Sequence, residues 1–173
     1  MSDCDGWQDE FDSAHDHGRG RDFPFRIVAA ELAALPTLLE FVHQQGQRAA
    51  LLSSDGARLA VVVEELFINT VSHGFPPVLP GMTNRKPLVR LAIGVLQPAV
   101  ALLDYRDRGV AFNPLADGPE APDSAGEIEK YLSGRLGGVG LWLLRQYAKD
   151  TTYARLGGVN RLAFRMGGDP PPP

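Results

Sequence analysis

Within the apolar run from Leu59 to Val71, the stretch Glu65-Leu-Phe-Ile-Asn69 puts a carboxylate and an amide on one stripe of an otherwise greasy helix. Side chains four apart on a helix lie one above the other, so Glu65 and Asn69 stack and His73 extends the stripe. Leu59, Val62, Val63, Leu66, Phe67 and Thr70 cover the neighbouring faces. Buried without partners, each polar group would cost about 1 to 3 kcal/mol or more. The chain must therefore fold so that this stripe meets something polar, and a wet, metal-bearing cleft is a better host than a sealed core. Glu64 points about 100° away around the helix and is read as a surface or structural carboxylate, outside the site.

The rest of the chain fits a single domain around that helix. Its 173 residues are enough for one full core and too few for two ordinary ones. A hydrophobic fraction of 44% and a charged fraction of 22% are those of a soluble globular protein. No apolar run approaches the roughly 20 residues needed to span a bilayer, so no membrane partner is expected. The amino-terminal stretch lacks the basic-then-apolar order of a secretory signal, and the single Cys4 cannot form an internal disulfide. Cytoplasmic residence is the default expectation. A net charge of -4 and a pI near 5.5 leave no electrostatic footprint for nucleic acid.

Periodicity divides the chain into a tail over residues 1–22, a domain over 23–166 and a proline-rich tail over 167–173, with both tails expected to be disordered. Cys4, His15 and His17 have no regular ligand spacing and are read as part of the solvated tail. Phe23 to Ala30 reads as a strand and Glu31 to Gln45 as a helix, with Pro36 tolerated in the first turn. Ser54 or Asp55 is expected to cap the next helix, which runs to about Ser72 and ends at Gly74. Leu88 to Leu96 and Ala99 to Arg106 read as a hairpin around Gln97-Pro98. Asn113 to Leu136 reads as a long functional loop with a short helix over Ala125 to Leu132. Gly137-Gly138-Val139-Gly140 opens a helix to about Lys149, and Thr151 to Leu156 with Asn160 to Met166 forms a closing hairpin about Gly157-Gly158. Helices interleaved with hairpins predict an α+β two-layer sandwich, with a mixed or antiparallel sheet.

Three polar or glycine-rich segments stand out against this frame: Glu65-Leu-Phe-Ile-Asn69, Asp107-Arg-Gly-Val-Ala-Phe-Asn-Pro114 and Gly137-Gly-Val-Gly-Leu141. By itself the second is satisfied by an acidic residue and a glycine in an ordinary turn. The third is no dinucleotide fingerprint, because Leu143 stands where a third glycine or alanine is needed and the motif comes late in the chain. No GxxxxGK[ST] phosphate loop occurs. Taken together, in this order and spacing, the three segments resemble the N, G1 and G2 boxes of the GHKL ATPase fold. That fold is shared by gyrase, heat-shock protein 90, histidine kinases and the mismatch-repair protein MutL. The likeness covers about Phe23 to Met166 and is greatest to the small anti-sigma factor serine/threonine kinases.

The resemblance implies ATP and magnesium as ligands, and roles for the matched residues. Asn69 would offer magnesium a neutral amide oxygen beside the ATP phosphates, and Glu65 would be the catalytic base at the attacking hydroxyl. Asp107 would accept the exocyclic amine hydrogen of adenine, and Gly109 would let the ring approach the backbone. Gly137, Gly138, Gly140 and Leu141 would present small residues, amides and the positive end of a helix beginning near Leu141 to the phosphates. Ala111 stands where histidine kinases repeat glycine, and Asn113 where the serine kinases often carry Asp; neither removes a proposed contact. His73 is read as a site-lining or helix-end residue and not as a phosphoacceptor. The likeness also implies a homodimer that holds a sigma factor and phosphorylates an anti-sigma antagonist. A nucleotide-gated binding protein that transfers no phosphate, and a slow ATPase in some other assembly, are the competing expectations.

Overall fold

The helix that carries the polar stripe is the spine of the molecule. In the computed structural model, which describes residues 23–75, 87–116 and 138–168, α1 spans Leu35–Arg48, α2 spans Ser53–Asn69 and α3 spans Val139–Tyr147. The strands are β1 (Phe25–Ala29), β2 (Leu88–Gln97), β3 (Val100–Asp107), β4 (Lys149–Leu156) and β5 (Val159–Gly167). They form one sheet in the order β1-β2-β3-β5-β4, with every neighbouring pair antiparallel. The helices pack on one face of this sheet, giving the α+β sandwich. Leu59, Val62, Val63, Leu66 and Phe67 of α2 are buried against Leu91, Ile93, Leu103, Tyr105, Leu162 and Phe164 of the sheet. Those strand residues obey the two-residue alternation that sends every second side chain to the helices.

Several boundaries moved for physical reasons. The helix expected from Glu31 begins at Leu35, after a short 3₁₀ turn over Leu32–Ala34. Pro36 in an α-helix would clash with the carbonyl four residues back, at Leu32, so the helix can form only where Pro36 lies in its first turn. Neither Ser54 nor Asp55 caps α2; the helix starts at Ser53, with Leu52 in the capping position and no side-chain cap. Asp55 sits instead inside the first turn, buried and paired with Arg58 at 2.8 Å, where its charge also suits the positive end of the helix. At its far end α2 stops at Asn69 and passes into a π-helical turn over Thr70–Gly74. The wider turn breaks the four-residue stripe, and His73 is exposed.

The two hairpins form as the turn residues require. Gly157 and Gly158, at φ 57° and 80°, make the β4–β5 turn between paired Leu156 and Val159. In the β2–β3 turn, Pro98 and Ala99 separate paired Gln97 and Val100, and Ala99 takes a φ of 61° that normally goes to glycine. The tail over 1–22, with Cys4, His15 and His17, lies outside the described residues, as do Gly137, most of the long loop and its expected short helix. No helix among the described residues is long and apolar enough to cross a membrane.

Candidate functional site

The three segments converge at the end of α2, by two routes. On the first, α3 crosses α2 so closely that a Cβ on Gly140 would lie 2.3 Å from the Glu65 Cβ and 2.8 Å from the Val61 carbonyl oxygen. Only glycine allows that approach. Gly138 caps the amino end of α3 in a left-handed conformation, φ 101°, and its N–H donates to Glu65 Oε1 at 2.9 Å. Asn69 Nδ2 reaches the same oxygen at the limit of bonding distance, 3.5 Å. The first bond within α3 runs from Trp142 N–H to the Gly138 carbonyl, so Val139, Gly140 and Leu141 supply the first-turn amides that a helix leaves without internal partners. The helix thus begins at Val139, two residues before the expected start. The Leu141 side chain itself belongs to the core, leaving only its backbone for a ligand.

On the second route, the π-helical turn carries the chain from Asn69 to Gly74, whose backbone meets the turn after β3. Val110 N–H donates to the Gly74 carbonyl at 2.7 Å, and a Cβ on Gly109 would come within 2.7 Å of that oxygen and 2.9 Å of Gly74 Cα. Gly109 is therefore required by backbone-on-backbone packing, whatever else approaches it. Tyr105 locks the same junction: its hydroxyl donates to Thr70 Oγ1 at 2.8 Å, and Thr70 donates back to the Leu66 carbonyl at 2.9 Å. Burial pushes the Tyr105 hydroxyl far above the ordinary tyrosine range, so it stays a donor.

Asp107 ends β3 on the helix-facing side and is only 7% exposed. Its Oδ1 accepts from the Gly109 N–H at 2.7 Å and from Asn160 Nδ2 at 2.9 Å. Burial pushes its carboxyl above the usual aspartate range, against the opposing pull of Asn160, Gly109 and the Arg155 charge. Asn160, directly opposite Asp107 on β5, also donates to the Val110 carbonyl at 2.8 Å. Its Oδ1 accepts from Arg155 Nη1 at 2.6 Å and from the Tyr153 hydroxyl at 2.9 Å. Sequence reasoning missed Asn160, Arg155 and Tyr153. The available signal was an asparagine at a strand position on the core-facing side, where an apolar residue is the norm.

At the start of the long loop, Asn113 folds an Asx turn through Leu115 N–H at 3.0 Å, and Arg145 of α3 donates to the Pro114 carbonyl at 2.9 Å. The described beginning of the loop is thereby pinned to α3. Among the described residues, no group of three or more His, Cys, Asp or Glu side chains could hold a metal ion. Asn69 turns its Nδ2 toward Glu65, which leaves its carbonyl oxygen for a cation. A single neutral oxygen suits magnesium that takes its other ligands from phosphates and water.

An antiparallel sheet under helices, with a buried aspartate at the end of one strand and a glycine-capped helix packed on the Glu65 stripe, defines an α+β domain of the GHKL ATPase fold. A family model, the histidine kinase-like ATPase domain, matches residues 28–166, and the chain belongs to that family. Domains of this family bind ATP, usually with magnesium. No curated protein matches the chain.

Proposed function

We propose that this protein is an ATP-dependent serine/threonine protein kinase of the anti-sigma factor type, which binds a sigma factor and phosphorylates an anti-sigma antagonist. The observation that carries the reading is the stacking of Glu65 and Asn69 on α2 directly against Gly138 at the amino end of α3. In this reading the Asn69 amide oxygen would hold magnesium together with the ATP phosphates, and the ion would supply charge neutralisation there. The first-turn amides of α3 and its positive end hold the phosphates. The acceptor hydroxyl oxygen bonds to the γ-phosphorus as the bond to the β–γ bridging oxygen breaks and ADP departs. The hydroxyl proton goes to Glu65. Both hydrogen bonds to the carboxylate fall on Oε1, so Oε2 is the oxygen assigned to the proton. Asp107 takes the adenine amine hydrogen at the other end of the cleft.

One observation favours a second reading. Because Glu65 accepts the Gly138 N–H, it has a structural task that a protein without phosphotransfer would also need. ATP would then only gate partner binding. Glu65→Gln separates the two, since the amide oxygen still accepts that N–H while the base is lost. Labelled γ-phosphate from Mg·ATP is offered to host lysate proteins with wild type and variant. Label in a discrete small protein, at least about a hundredfold weaker with Glu65→Gln, supports the kinase. Equal ATP binding with no Glu65-dependent label supports the gated binding protein.

A further inference from the structure

The Asp107 turn is held by two residues that need not touch a nucleotide. Asn160, 5% exposed, has its whole amide engaged: two hydrogens go to Asp107 Oδ1 and the Val110 carbonyl, and its oxygen accepts from Arg155 Nη1 and the Tyr153 hydroxyl. A guanidinium only donates, so the amide cannot be reversed while Arg155 is in place. Nδ2 must then face Asp107, which fixes that carboxylate as an acceptor. Arg155 Nη1 also donates to the Gly109 carbonyl at 3.0 Å. One guanidinium nitrogen thus grips both the amide that orients Asp107 and the glycine of the turn. Arg155 pairs with Asn160 across the β4–β5 ladder, and Tyr153 lies two residues away on the same face of β4.

We propose that Arg155 and Tyr153, acting through Asn160, are positioning residues for base selection: they hold the Asp107 carboxylate so that it takes the hydrogen of an exocyclic amine and rejects a base with a carbonyl there. This rests on the reading that Asp107 meets the adenine of ATP. Both bonds to Asp107 fall on Oδ1, and the other oxygen is the one presented to the amine. Without Arg155 the Asn160 amide and the Gly109 carbonyl lose their shared anchor, and the carboxylate they flank is held less firmly in direction. The loss therefore falls on the distinction between bases more than on affinity for the triphosphate.

The test measures the affinities of ATP and of inosine triphosphate, which carries a carbonyl in place of the amine, for wild type, Arg155→Lys, Arg155→Met and Tyr153→Phe, with the melting temperature of each. The ratio of ATP to inosine triphosphate affinity is expected to fall about tenfold in Arg155→Met, which loses two hydrogen bonds, and about threefold in Tyr153→Phe, which loses one. Arg155→Lys, whose ammonium keeps the charge but not the planar fork, should fall between wild type and Arg155→Met. If the wild type prefers ATP and the variants weaken both nucleotides equally, Arg155 and Tyr153 serve the fold alone and the inference is overturned. A wild type that binds both nucleotides equally overturns the adenine reading of Asp107 itself. Should Arg155→Met fail to fold, the ratios for Arg155→Lys and Tyr153→Phe decide the matter.

Discussion

Asp107 shows what a buried carboxylate costs the fold that carries it. A carboxylate at this burial is destabilised as an ion, which is why its pKa rises in spite of three opposing partners. The sign of the linkage follows. The folded state holds the proton more tightly than the unfolded chain, so the charge costs nothing below the unfolded pKa. Stability is lost as pH rises from the unfolded through the folded value. Asp107→Asn keeps an acceptor for the Gly109 and Asn160 donors and removes the charge. It is expected to leave the protein at least as stable at pH 7, while weakening ATP binding at least about tenfold. Denaturant unfolding at pH 7 and at a pH below the ordinary aspartate range checks the first part, because the advantage of the variant should shrink at the lower pH. A variant clearly less stable at pH 7 would mean that the ionised carboxylate is a net support of the turn.

At the scale of elements, the packing of α3 on α2 decides whether Gly138 meets Glu65. The Arg58 guanidinium of α2 lies 3.8 Å over the Tyr147 ring near the end of α3, a cation–π contact that fastens the helices where Gly140 does not. At the other end Gly140 rests on the Glu65 stem. Gly140→Ala would drive a methyl into Cβ and into a backbone carbonyl, neither of which can turn aside. The expected loss is about 1 to 3 kcal/mol of stability, together with displacement of Gly138 from Glu65. Chemical denaturation and titration with ATP check the pair, and a fully stable variant with wild-type ATP affinity would show that the helices can separate without harm. The sequence made this junction legible only in part. The apolar period of α2 and the glycine cluster are local signals, and both were readable. Glycine at 140 invited a phosphate explanation, whereas a contact with residue 65 has no signature near either position. The same holds for Gly109 against Gly74. The π-helical turn was hidden for another reason: Val71, Ser72 and His73 carry no local preference for it, and it forms where Tyr105, Thr70 and Gly74 tie the chain to β3.

For the whole molecule, the candidate site is assembled from segments that meet only in the folded state: Glu65 to Gly74, Asp107 to Val110, and Gly138 to Leu141. Asn160 and Arg155 lie further on, and long-range contacts of this kind explain why the three boxes could be read while the clamp behind them could not. A ligand that touches all three segments binds the native state and nothing in the unfolded chain, so it stabilises by mass action. At a free Mg·ATP concentration 100 times its dissociation constant the gain is about 2.7 kcal/mol, equivalent to a rise in melting temperature of roughly 8 °C for a domain of this size. The pattern across variants is more telling than the size. Glu65→Gln, which keeps the Gly138 bond, should retain nearly the whole rise, because it loses a base and no nucleotide contact. Asp107→Asn should lose about half of it or more at the same ATP concentration, and Gly140→Ala should lose part from an already lowered starting temperature. Thermal unfolding with and without Mg·ATP measures all four proteins. A rise that survives Asp107→Asn undiminished would place the nucleotide elsewhere than across these segments, since mass action allows no stabilisation from a contact that contributes no affinity.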